Sequence, residues 1–449
     1  MKRGVAVLLL VVAVAAGLWA LARRPAPPVS SGDSERPPKF LIVGIDSLDW
    51  ELVQELVARG RMPNMARLME NGASGILRST PPFLSPDIWT CIATGKSDEK
   101  HGITSYIVGG DEQGGGLLAS SNLRRTKALW NILSSAERTV GVIGWLITFP
   151  AEPVSGYMIS DKTVFLIPSE MFVGAKGQVF EDMRKGVYPP ELWDEVAGLR
   201  VAEATLPEEE TGGLLGASVP AEDEASRRLI SLKRFTAGDL AVVNLVTHLA
   251  ISRPTDLTAV YLRGTDLVSH FFWRYKDPDS WGGAKLSPAA LKAFGPVVDR
   301  YYQKADAMLG EILRTRGDNT IVIVCSDHGF GGRNGYPGLK GDAAAPRDMH
   351  RAGGTIIMEG PGILRGKRIE GATIYDIAPT VLVLAGLPVG RDMDGKPLVD
   401  AIAPSCLKAR PVAHIETYET EVRPGGQEPV TSPVDEETKE MLRSLGYIK

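Results

Sequence analysis

The sequence of 449 residues is poor in cysteine and histidine and has no marked excess of either charge. Its three cysteines are too few and too scattered for a disulfide framework, and none forms a CxxC pair that would bind a metal or carry out redox chemistry. Lysine and arginine number 50 against 54 acidic residues, so the basic surface of a nucleic-acid-binding protein is not expected. No internal repeat is evident. A composition that is 44% hydrophobic and 23% charged then indicates an ordinary globular protein.

The N-terminal segment has the layout of an export signal. Lys2 and Arg3 precede an uncharged apolar run over residues 5–21, which is followed by a proline- and serine-rich stretch. We therefore expect a signal peptide or signal anchor over residues 1–22 and a linker over residues 23–39. The apolar run is at the short limit for a membrane span and ends in a small-x-small cleavage site, so a cleaved signal and an uncleaved anchor both fit. In either case, the rest of the protein is expected to be exported to the periplasm or out of the cell.

Strand-like and helix-like segments alternate along the rest of the chain. Apolar runs typical of buried parallel strands, each followed by loop residues, occur at 40–45, 140–145, 258–262 and 320–325. The alternation predicts an α/β fold, a three-layer sandwich with a mostly parallel central sheet. Residues 166–250 break the alternation, which suggests an inserted cap that roofs the site. The catalytic domain is then expected to comprise residues 40–165 and 251–449.

Acidic residues stand at or just beyond the ends of three predicted strands. Asp46 ends the first strand, Asp266 follows the strand that contains Tyr261, and Asp327 follows the strand that ends at Cys325. Ligands of open α/β sheets collect beyond the carboxyl ends of the strands, so these carboxylates are expected to converge in one crevice. A lone aspartate after a strand is more often a turn residue or a helix cap. Its repetition on three strands favours a site.

Three of the six histidines are candidate metal ligands. Asp266 and His270 are four residues apart, which on a helical turn places them on one face at the separation that one ion needs. His328 follows Asp327 directly, so the pair suits one ion contacted from different sides or a bridge between two ions. His350 lies in a glycine-flanked loop. The remaining histidines are interpreted as structural residues, in a helix, in the core or at a helix cap: His101, His248 and His414.

Ser85 is a candidate nucleophile. It lies in a proline-rich turn ahead of a helical stretch over residues 87–94. A helix start offers backbone N–H groups and the positive end of the helix dipole to an anion. Taken alone, a serine at this position is more often an ordinary N-cap residue.

Together these motifs resemble the alkaline phosphatase superfamily and, within it, the type I phosphodiesterase and nucleotide pyrophosphatase branch. The matching positions, in chain order, are Asp46, Ser85 ahead of Trp89–Lys96 and Lys100–Ile103, Asp266 with His270, Asp327-His328-Gly329 and His350. The resemblance implies two divalent metal ions, most simply Zn²⁺ with Mn²⁺ as the alternative. It implies that Asp266, His270 and His350 hold one ion. It further implies that Asp46, Asp327 and His328 hold the other, with Ser85 facing both ions as the nucleophile.

The sequence departs from this branch around the nucleophile. The branch usually has threonine there and an asparagine three positions later, whereas Ser85 is followed at that distance by Ile88. Pro86 also lacks the N–H that the branch uses as an oxyanion donor. In another register, Thr80 or Thr90 would be the nucleophile.

The resemblance favours an exported phosphodiesterase that acts on a small phosphate ester through a phosphoseryl intermediate. Three alternatives stay open: a sulfatase-like enzyme, a phosphomonoester hydrolase and a non-catalytic exported binding protein. The modified nucleophile of sulfatases lies in a Cys/Ser-x-Pro-x-Arg motif, which residues 85–89 lack. The superfamily's phosphoglycerate mutases are cytosolic, and the N-terminal segment argues against them. Membrane contact is expected only through that segment if it is uncleaved, and no nucleic-acid binding is expected.

Overall fold

A nine-stranded sheet forms the middle layer of the protein in the computed structural model. The structure describes residues 37–109, 116–165, 178–281, 286–332, 349–420 and 428–445. The predicted signal segment, most of the linker and the first residues of the predicted cap, 166–177, lie outside the described residues.

Fifteen strands are described, and nine of them belong to the central sheet. In chain order they are β1 Lys39–Ile45, β2 Ala73–Arg78, β3 Ile107–Val108, β4 Leu117–Leu118, β5 Val140–Ile143, β6 Gly156–Ile159, β7 Val187–Tyr188, β8 Leu257–Leu262, β9 Thr320–Cys325, β10 Gly329–Phe330, β11 His350–Arg351, β12 Gly353–Glu359, β13 Lys367–Ile369, β14 Val389–Gly390 and β15 His414–Ile415. The central order is β13-β2-β12-β9-β1-β8-β5-β6-β7. Three small pairs, β3 with β4, β10 with β11 and β14 with β15, lie outside it.

The strands at the centre of the sheet are parallel. β1 pairs in parallel with β8 on one side and with β9 on the other, and β5 pairs in parallel with both β8 and β6. Only β12 and β7 run against their neighbours. Every residue of β9 and all but the first of β1 are buried, as continuous apolar strands covered on both faces should be.

Sixteen α-helices are described. They are α1 Trp50–Ala58, α2 Pro63–Asn71, α3 Ser85–Thr94, α4 Asp98–His101, α5 Leu129–Ser135, α6 Asp161–Phe165, α7 Gln178–Arg184, α8 Trp193–Ala197, α9 Glu209–Gly212, α10 Asp223–Ser252, α11 Gly264–Lys276, α12 Pro288–Phe294, α13 Val297–Leu313, α14 Ile377–Leu384, α15 Pro404–Ala409 and α16 Asp435–Ser444. Helices α10, α11 and α13 pack against one another, and α2 packs against α13. Helix α3 packs against α14. The predicted α/β sandwich with a mostly parallel sheet is confirmed.

Much of the predicted cap is built into the sandwich. Strand β7 lies at the edge of the central sheet, and α10 contacts β5, β8, α11 and α13. Val242, Leu245, Val246 and Leu249 on α10 are buried against these elements. Among the described helices, α10 alone is long and apolar enough to cross a membrane, and 61% of its most apolar stretch is buried inside the protein.

The strand order brings the predicted site residues to one edge of the sheet. Because β9, β1 and β8 are adjacent and parallel, their carboxyl ends lie side by side. Asp327, Asp46 and Asp266 follow these three ends. β12 runs antiparallel to β9, so its beginning, just after His350, lies at the same edge.

Candidate active site

One group of candidate ligands consists of Asp46, Asp327 and His328, whose side chains are almost completely buried. Nε2 of His328 lies 3.1 Å from Oδ2 of Asp327 and 3.7 Å from Oδ1 of Asp46. None of these three atoms has a hydrogen-bond partner among the described residues. Buried polar atoms without partners are rare, and the ligand atoms around a tetrahedral Zn²⁺ ion lie about 3.4 Å apart. The spacing and the missing partners fit a bound divalent ion.

A second group consists of Asp266, His270 and His350. Oδ1 of Asp266 lies 3.3 Å from Nε2 of His270 and 3.4 Å from Nε2 of His350, and the two nitrogens are 2.9 Å apart. Asp266 and His270 share one face of α11, as their spacing predicts. The β10–β11 pair brings His350 beside Phe330 and close to His328. These distances also suit three ligands of one ion.

The two groups are in direct contact through His328 and His350. Their rings stack with centroids 3.8 Å apart and planes inclined by 23°. His328 is close enough to Asp266 and His350 for these three residues to form an alternative ligand set. Two ions bound in this arrangement would be near neighbours, the condition for two-metal catalysis.

The backbone fixes the protonation of both stacked imidazoles. Nδ1 of His350 lies 3.0 Å from the carbonyl oxygen of Phe83, and Nδ1 of His328 lies 3.2 Å from that of Gly329. A carbonyl oxygen only accepts hydrogen bonds, so each Nδ1 carries the proton. In the neutral ring, each Nε2 then presents its lone pair to the site, as metal ligation requires.

Burial and the neighbouring negative charges shift the pKa values of the site carboxylates. Burial raises the pKa of Asp46 well above its ordinary value, and the carboxylates of Asp327 and Asp266 raise it further. Burial, followed by the charge of Asp266, raises the pKa of Asp327 to about 7. Burial acts in the same direction on Asp266, but His270 and His350 hold its pKa well below the usual range. A buried set of carboxylate and neutral imidazole groups is the donor chemistry that suits Zn²⁺ or Mn²⁺.

Ser47 connects the two groups, and the sequence analysis missed it. Its hydroxyl donates to Oδ1 of Asp266 at 2.7 Å and accepts from Nδ1 of His328 at 3.1 Å, while its backbone N–H donates to Asp327 at 3.2 Å. Ser47 has φ of 54°, a left-handed conformation that few serines adopt. This strained turn directly after β1 aims the hydroxyl between the ligands. The sequence carries no local signal for it, since the partners lie more than 200 residues away.

Ser85 belongs to a segment that contacts both ligand groups through neighbouring residues. It is the first residue of α3, whose N-cap is Leu84, so Ser85 is not an N-cap serine. Two residues before Ser85, the carbonyl oxygen of Phe83 accepts a hydrogen bond from Nδ1 of His350. One turn after it, Trp89 Nε1 donates to Asp46 at 3.4 Å. Ser85 Oγ is fully buried and has no hydrogen-bond partner of good geometry among the described residues.

The other two hydroxyls considered as nucleophiles point elsewhere. Thr90 Oγ1 donates to the carbonyl of Pro86 at 2.6 Å, inside its own helix. Thr80 Oγ1 lies at the surface, 3.5 Å from the hydroxyl of Tyr375. Neither contacts a candidate ligand.

Aromatic residues complete the wall around Asp46 and Ser85. The Tyr261 hydroxyl donates to Oδ2 of Asp46. Tyr106 lies near Ser85, and its pKa is raised by burial and by the charges of Asp46 and Asp266. The ring of Trp89 packs over Gly44, where a Cβ would lie 2.5 Å from the ring. The neutral hydroxyls of Tyr106 and Tyr261 therefore lie beside Ser85 and Asp46. The sequence analysis did not identify these two hydroxyls as part of the site.

A cavity of about 50 Å³ opens beside Asp46 and Asp266. Its described lining includes Tyr106, Lys162 and Arg263 and an apolar wall from the end of the chain: Thr438, Met441, Leu442 and Leu445. None of its lining residues lies in 178–250. In the described part of the chain, α16 contributes to the lining of the cavity.

A separate cluster of metal-binding residue types lies on the far side of α3. Cys91 Sγ is 3.2 Å from Asp87 Oδ1 and 3.3 Å from His101 Nε2, and that nitrogen is 3.4 Å from the same carboxylate oxygen. His101 is completely buried at the end of α4, which agrees with its interpretation as a structural residue. Its Nδ1 accepts the backbone N–H of Ile103 at 3.1 Å.

Comparisons with known proteins place this site in a family. Residues 40–362 match the family described as type I phosphodiesterase / nucleotide pyrophosphatase. Among curated proteins, the chain is similar to two 2,3-bisphosphoglycerate-independent phosphoglycerate mutases. The one from Prochlorococcus marinus is 27% identical over 240 residues, 49% of this chain and 40% of the relative. The one from Rhodopirellula baltica is 30% identical over 128 residues, 28% of this chain and 21% of the relative.

The chain thus spans less than half the length of these curated relatives. Among solved structures, a 2-O GAG sulfatase superposes with a TM-score of 0.51 at 13% identity, covering 85% of this chain and 76% of the sulfatase. That likeness shows a common fold. The predicted resemblance is confirmed, because the family match covers well over half of the sequence. The chain belongs to the type I phosphodiesterase / nucleotide pyrophosphatase family of the alkaline phosphatase superfamily.

Proposed function

We propose that this protein is an exported two-metal phosphodiesterase with Ser85 as its nucleophile. The observation that carries the proposal is the pair of buried three-residue ligand groups, which the segment around Ser85 contacts through Phe83 and Trp89. In each group, carboxylate and imidazole atoms converge at 2.9–3.7 Å. The orphaned atoms of Asp46, Asp327, His328 and Ser85 all belong to this arrangement.

The residues present fit two divalent ions, with Zn²⁺ first and Mn²⁺ second. Asp266, His270 and His350 would hold one ion, and Asp46, Asp327 and His328 the other. When bound, the ions supply positive charge for the attacking and leaving oxygens and lower the pKa of the nucleophilic hydroxyl.

The chemistry at Ser85 is a double displacement at phosphorus. Ser85 Oγ loses its proton and bonds to phosphorus, the bond from phosphorus to the leaving oxygen breaks, and that oxygen takes up a proton. The oxygen of a water molecule then bonds to phosphorus, the bond from phosphorus to Ser85 Oγ breaks, and Ser85 Oγ takes up a proton that the water gives up. The hydroxyl of Tyr106 is the donor near Ser85 that can take the place of the missing N–H of Pro86, since the Tyr261 hydroxyl already donates to Asp46.

The relatives supply the competing reactions. A phosphoglycerate mutase moves a phosphoryl group between hydroxyls, and a sulfatase cleaves a sulfate ester. We favour the phosphodiester because the family match covers more of the chain than the mutase matches and because residues 85–89 lack the sulfatase motif.

A substrate panel tests the proposal. Protein loaded with Zn²⁺ or Mn²⁺ is assayed with bis(4-nitrophenyl) phosphate, 4-nitrophenyl phosphate, 4-nitrophenyl sulfate and 3-phosphoglycerate. We expect the diester to give the highest kcat/KM, and His248→Ala to retain it because His248 is exposed and pairs with Glu195. Preferred turnover of the sulfate, or isomerisation of 3-phosphoglycerate without diester cleavage, would overturn the assignment.

Export rests on the N-terminal pattern and is tested separately. A reporter that is active only in the periplasm, fused after residue 40, should be active. Activity of a reporter that works only in the cytoplasm, fused at the same point, would contradict export.

A further inference from the structure

The cavity beside the candidate metal ligands has a chemically mixed lining. Asp46 and Asp266 contribute carboxylates to it, and Lys162 and Arg263 contribute positive charge. The described lining also includes apolar side chains from several elements: Leu118, Ile147, Leu267, Met441, Leu442 and Leu445. A cavity with this lining suits a carbon chain that carries a negative charge at some distance from the scissile group.

The two cations are not equivalent. Nζ of Lys162 lies 2.8 Å from Oδ1 of Asp435, and both side chains are mostly buried, so this charge is neutralised within the protein. Among the described residues, no carboxylate forms an ion pair with Arg263. Its Nη2 instead contacts the thioether sulfur of Met441 at 2.9 Å, and its guanidinium lies 5.2 Å from the centre of the Phe165 ring.

A thioether is a poor partner for a guanidinium. Arginine has five N–H donors in a planar fork that matches a carboxylate or phosphate, whereas the sulfur of methionine is only a weak acceptor. The nearby carboxylate of Asp239 is already engaged. It accepts the backbone N–H groups of Arg263 and Gly264 and the hydroxyl of Tyr301 at 3.0–3.2 Å.

Arg263 lines the same cavity as Tyr106 and Tyr261. These are the phenols beside Ser85 and Asp46. The guanidinium itself is held by Phe165 and Met441, which are not among the residues that contact Ser85 or the candidate ligands.

We propose that Arg263 determines substrate specificity by binding a second anionic group of the substrate, separated from the scissile phosphorus by a short carbon chain. The substrate class is therefore a phosphate ester that also carries a carboxylate or a further phosphate. This inference rests on the proposed function, because it takes the phosphorus to react at Ser85. Displacement of the Met441 sulfur by the anion gives the guanidinium a charge-assisted partner.

Two matched probes test the role of Arg263. They are 4-nitrophenyl phosphodiesters whose second ester group is either 3-carboxypropyl or n-pentyl, assayed with the metal-loaded full chain. Arg263→Met should lower kcat/KM for the carboxylate probe by about 10- to 100-fold, mainly through KM, because a hydrogen-bonded charge pair is lost. The neutral probe should be turned over almost as before. Arg263→Lys should recover part of the preference, since lysine keeps the charge but loses the planar fork.

Arg274→Met is the control variant. Arg274 lies on α11, the helix that Arg263 precedes as N-cap, contacts Glu224 at 3.2 Å and does not line the cavity. It should leave both probes unchanged. Equal losses on both probes in Arg263→Met would mean that Arg263 acts on the scissile phosphate or on the fold, and would overturn the proposal.

A binding measurement separates this proposal from the catalytic one. Calorimetry should show that the metal-loaded protein binds 3-phosphonopropionate at least about tenfold more tightly than propylphosphonate, and that Arg263→Met removes the difference. If neither diester is cleaved but this difference is present, the phosphodiesterase assignment fails and the role of Arg263 stands. If both diesters are cleaved equally and no binding difference is seen, the role of Arg263 is wrong and the phosphodiesterase assignment stands.

Discussion

Two buried clusters in this protein combine imidazole and carboxylate groups, and they differ in the backbone atoms that their histidines face. In the candidate active site, Nδ1 of His328 and of His350 meets a carbonyl oxygen at 3.0–3.2 Å. In the cluster of Asp87, Cys91 and His101, Nδ1 of the histidine meets the N–H of Ile103. A carbonyl places the proton on Nδ1, whereas an N–H requires a lone pair there.

The consequence is opposite chemistry at Nε2. In the candidate active site, Nε2 of His328 presents its lone pair to carboxylate oxygens of Asp46 and Asp327 that have no hydrogen-bond partner among the described residues. At His101, Nε2 carries the hydrogen and faces Asp87 and Cys91, both of which can accept it. Burial also raises the pKa of the Cys91 thiol, so the thiolate that a metal needs is disfavoured. Residue types and spacing are similar in the two clusters, but the backbone suits one to metal ligation and makes the other a hydrogen-bonded network.

The largest effect is expected at the hydroxyl of Ser85. Ser85→Ala should lower turnover of a phosphodiester by about a thousandfold or more, because nucleophile and metals act as one unit. Elemental analysis should show unchanged metal content, and Ser85→Thr should retain measurable activity. Near-native turnover in Ser85→Ala together with complete loss in Thr90→Ala or Thr80→Ala would place the nucleophile elsewhere in the turn.

The comparison itself is tested by the same substitution in both clusters. Asp327→Asn should remove about one metal ion per chain and most of the activity, because it leaves an ion under-coordinated. Asp87→Asn should leave the metal content unchanged. Metal content and kcat/KM are measured on both variants after loading with Zn²⁺. Loss of metal from Asp87→Asn would show that the second cluster also binds an ion and that the tautomer argument is wrong.

A smaller effect is expected from the hydroxyl that orients the ligands. Ser47→Ala removes the link between Asp266 and His328 without removing a ligand, and should cost about 10- to 100-fold in metal affinity or activity. Cys91→Ala, the corresponding change in the second cluster, should alter neither. Competition with a chelator measures the affinity of both variants. An unchanged affinity in Ser47→Ala would show that the backbone carbonyls alone orient His328.

The residues of the candidate site were predictable where local pattern decides their place. Apolar runs located β1, β8 and β9 to within a residue or so, and the rule for parallel sheets then brought Asp46, Asp266 and Asp327 to one edge. Asp266 and His270 were predictable because their spacing matches a helical turn.

Other features depend on contacts between distant parts of the chain. The role of Ser47 requires a positive φ and partners 219–281 residues away. The position of α16 against Arg263 and the cavity depends on tertiary packing that no periodicity reveals. The tautomers likewise depend on which backbone group a folded loop presents to an imidazole.

The smallest predicted effect distinguishes the two nitrogens of His101. Asparagine places its amide oxygen near the position of Nδ1 and can still accept the N–H of Ile103, whereas glutamine reaches the position of Nε2 and leaves that N–H without its acceptor. Both substitutions leave a smaller or altered side chain in a buried place, so both should destabilise the fold. His101→Gln should be the less stable of the two by about 1 kcal/mol, the cost of one buried hydrogen bond, as measured by urea unfolding. Metal content should equal that of the unmodified protein in both variants, and a reversed order of stability would mean that the proton of His101 lies on Nδ1, as it does in the active site.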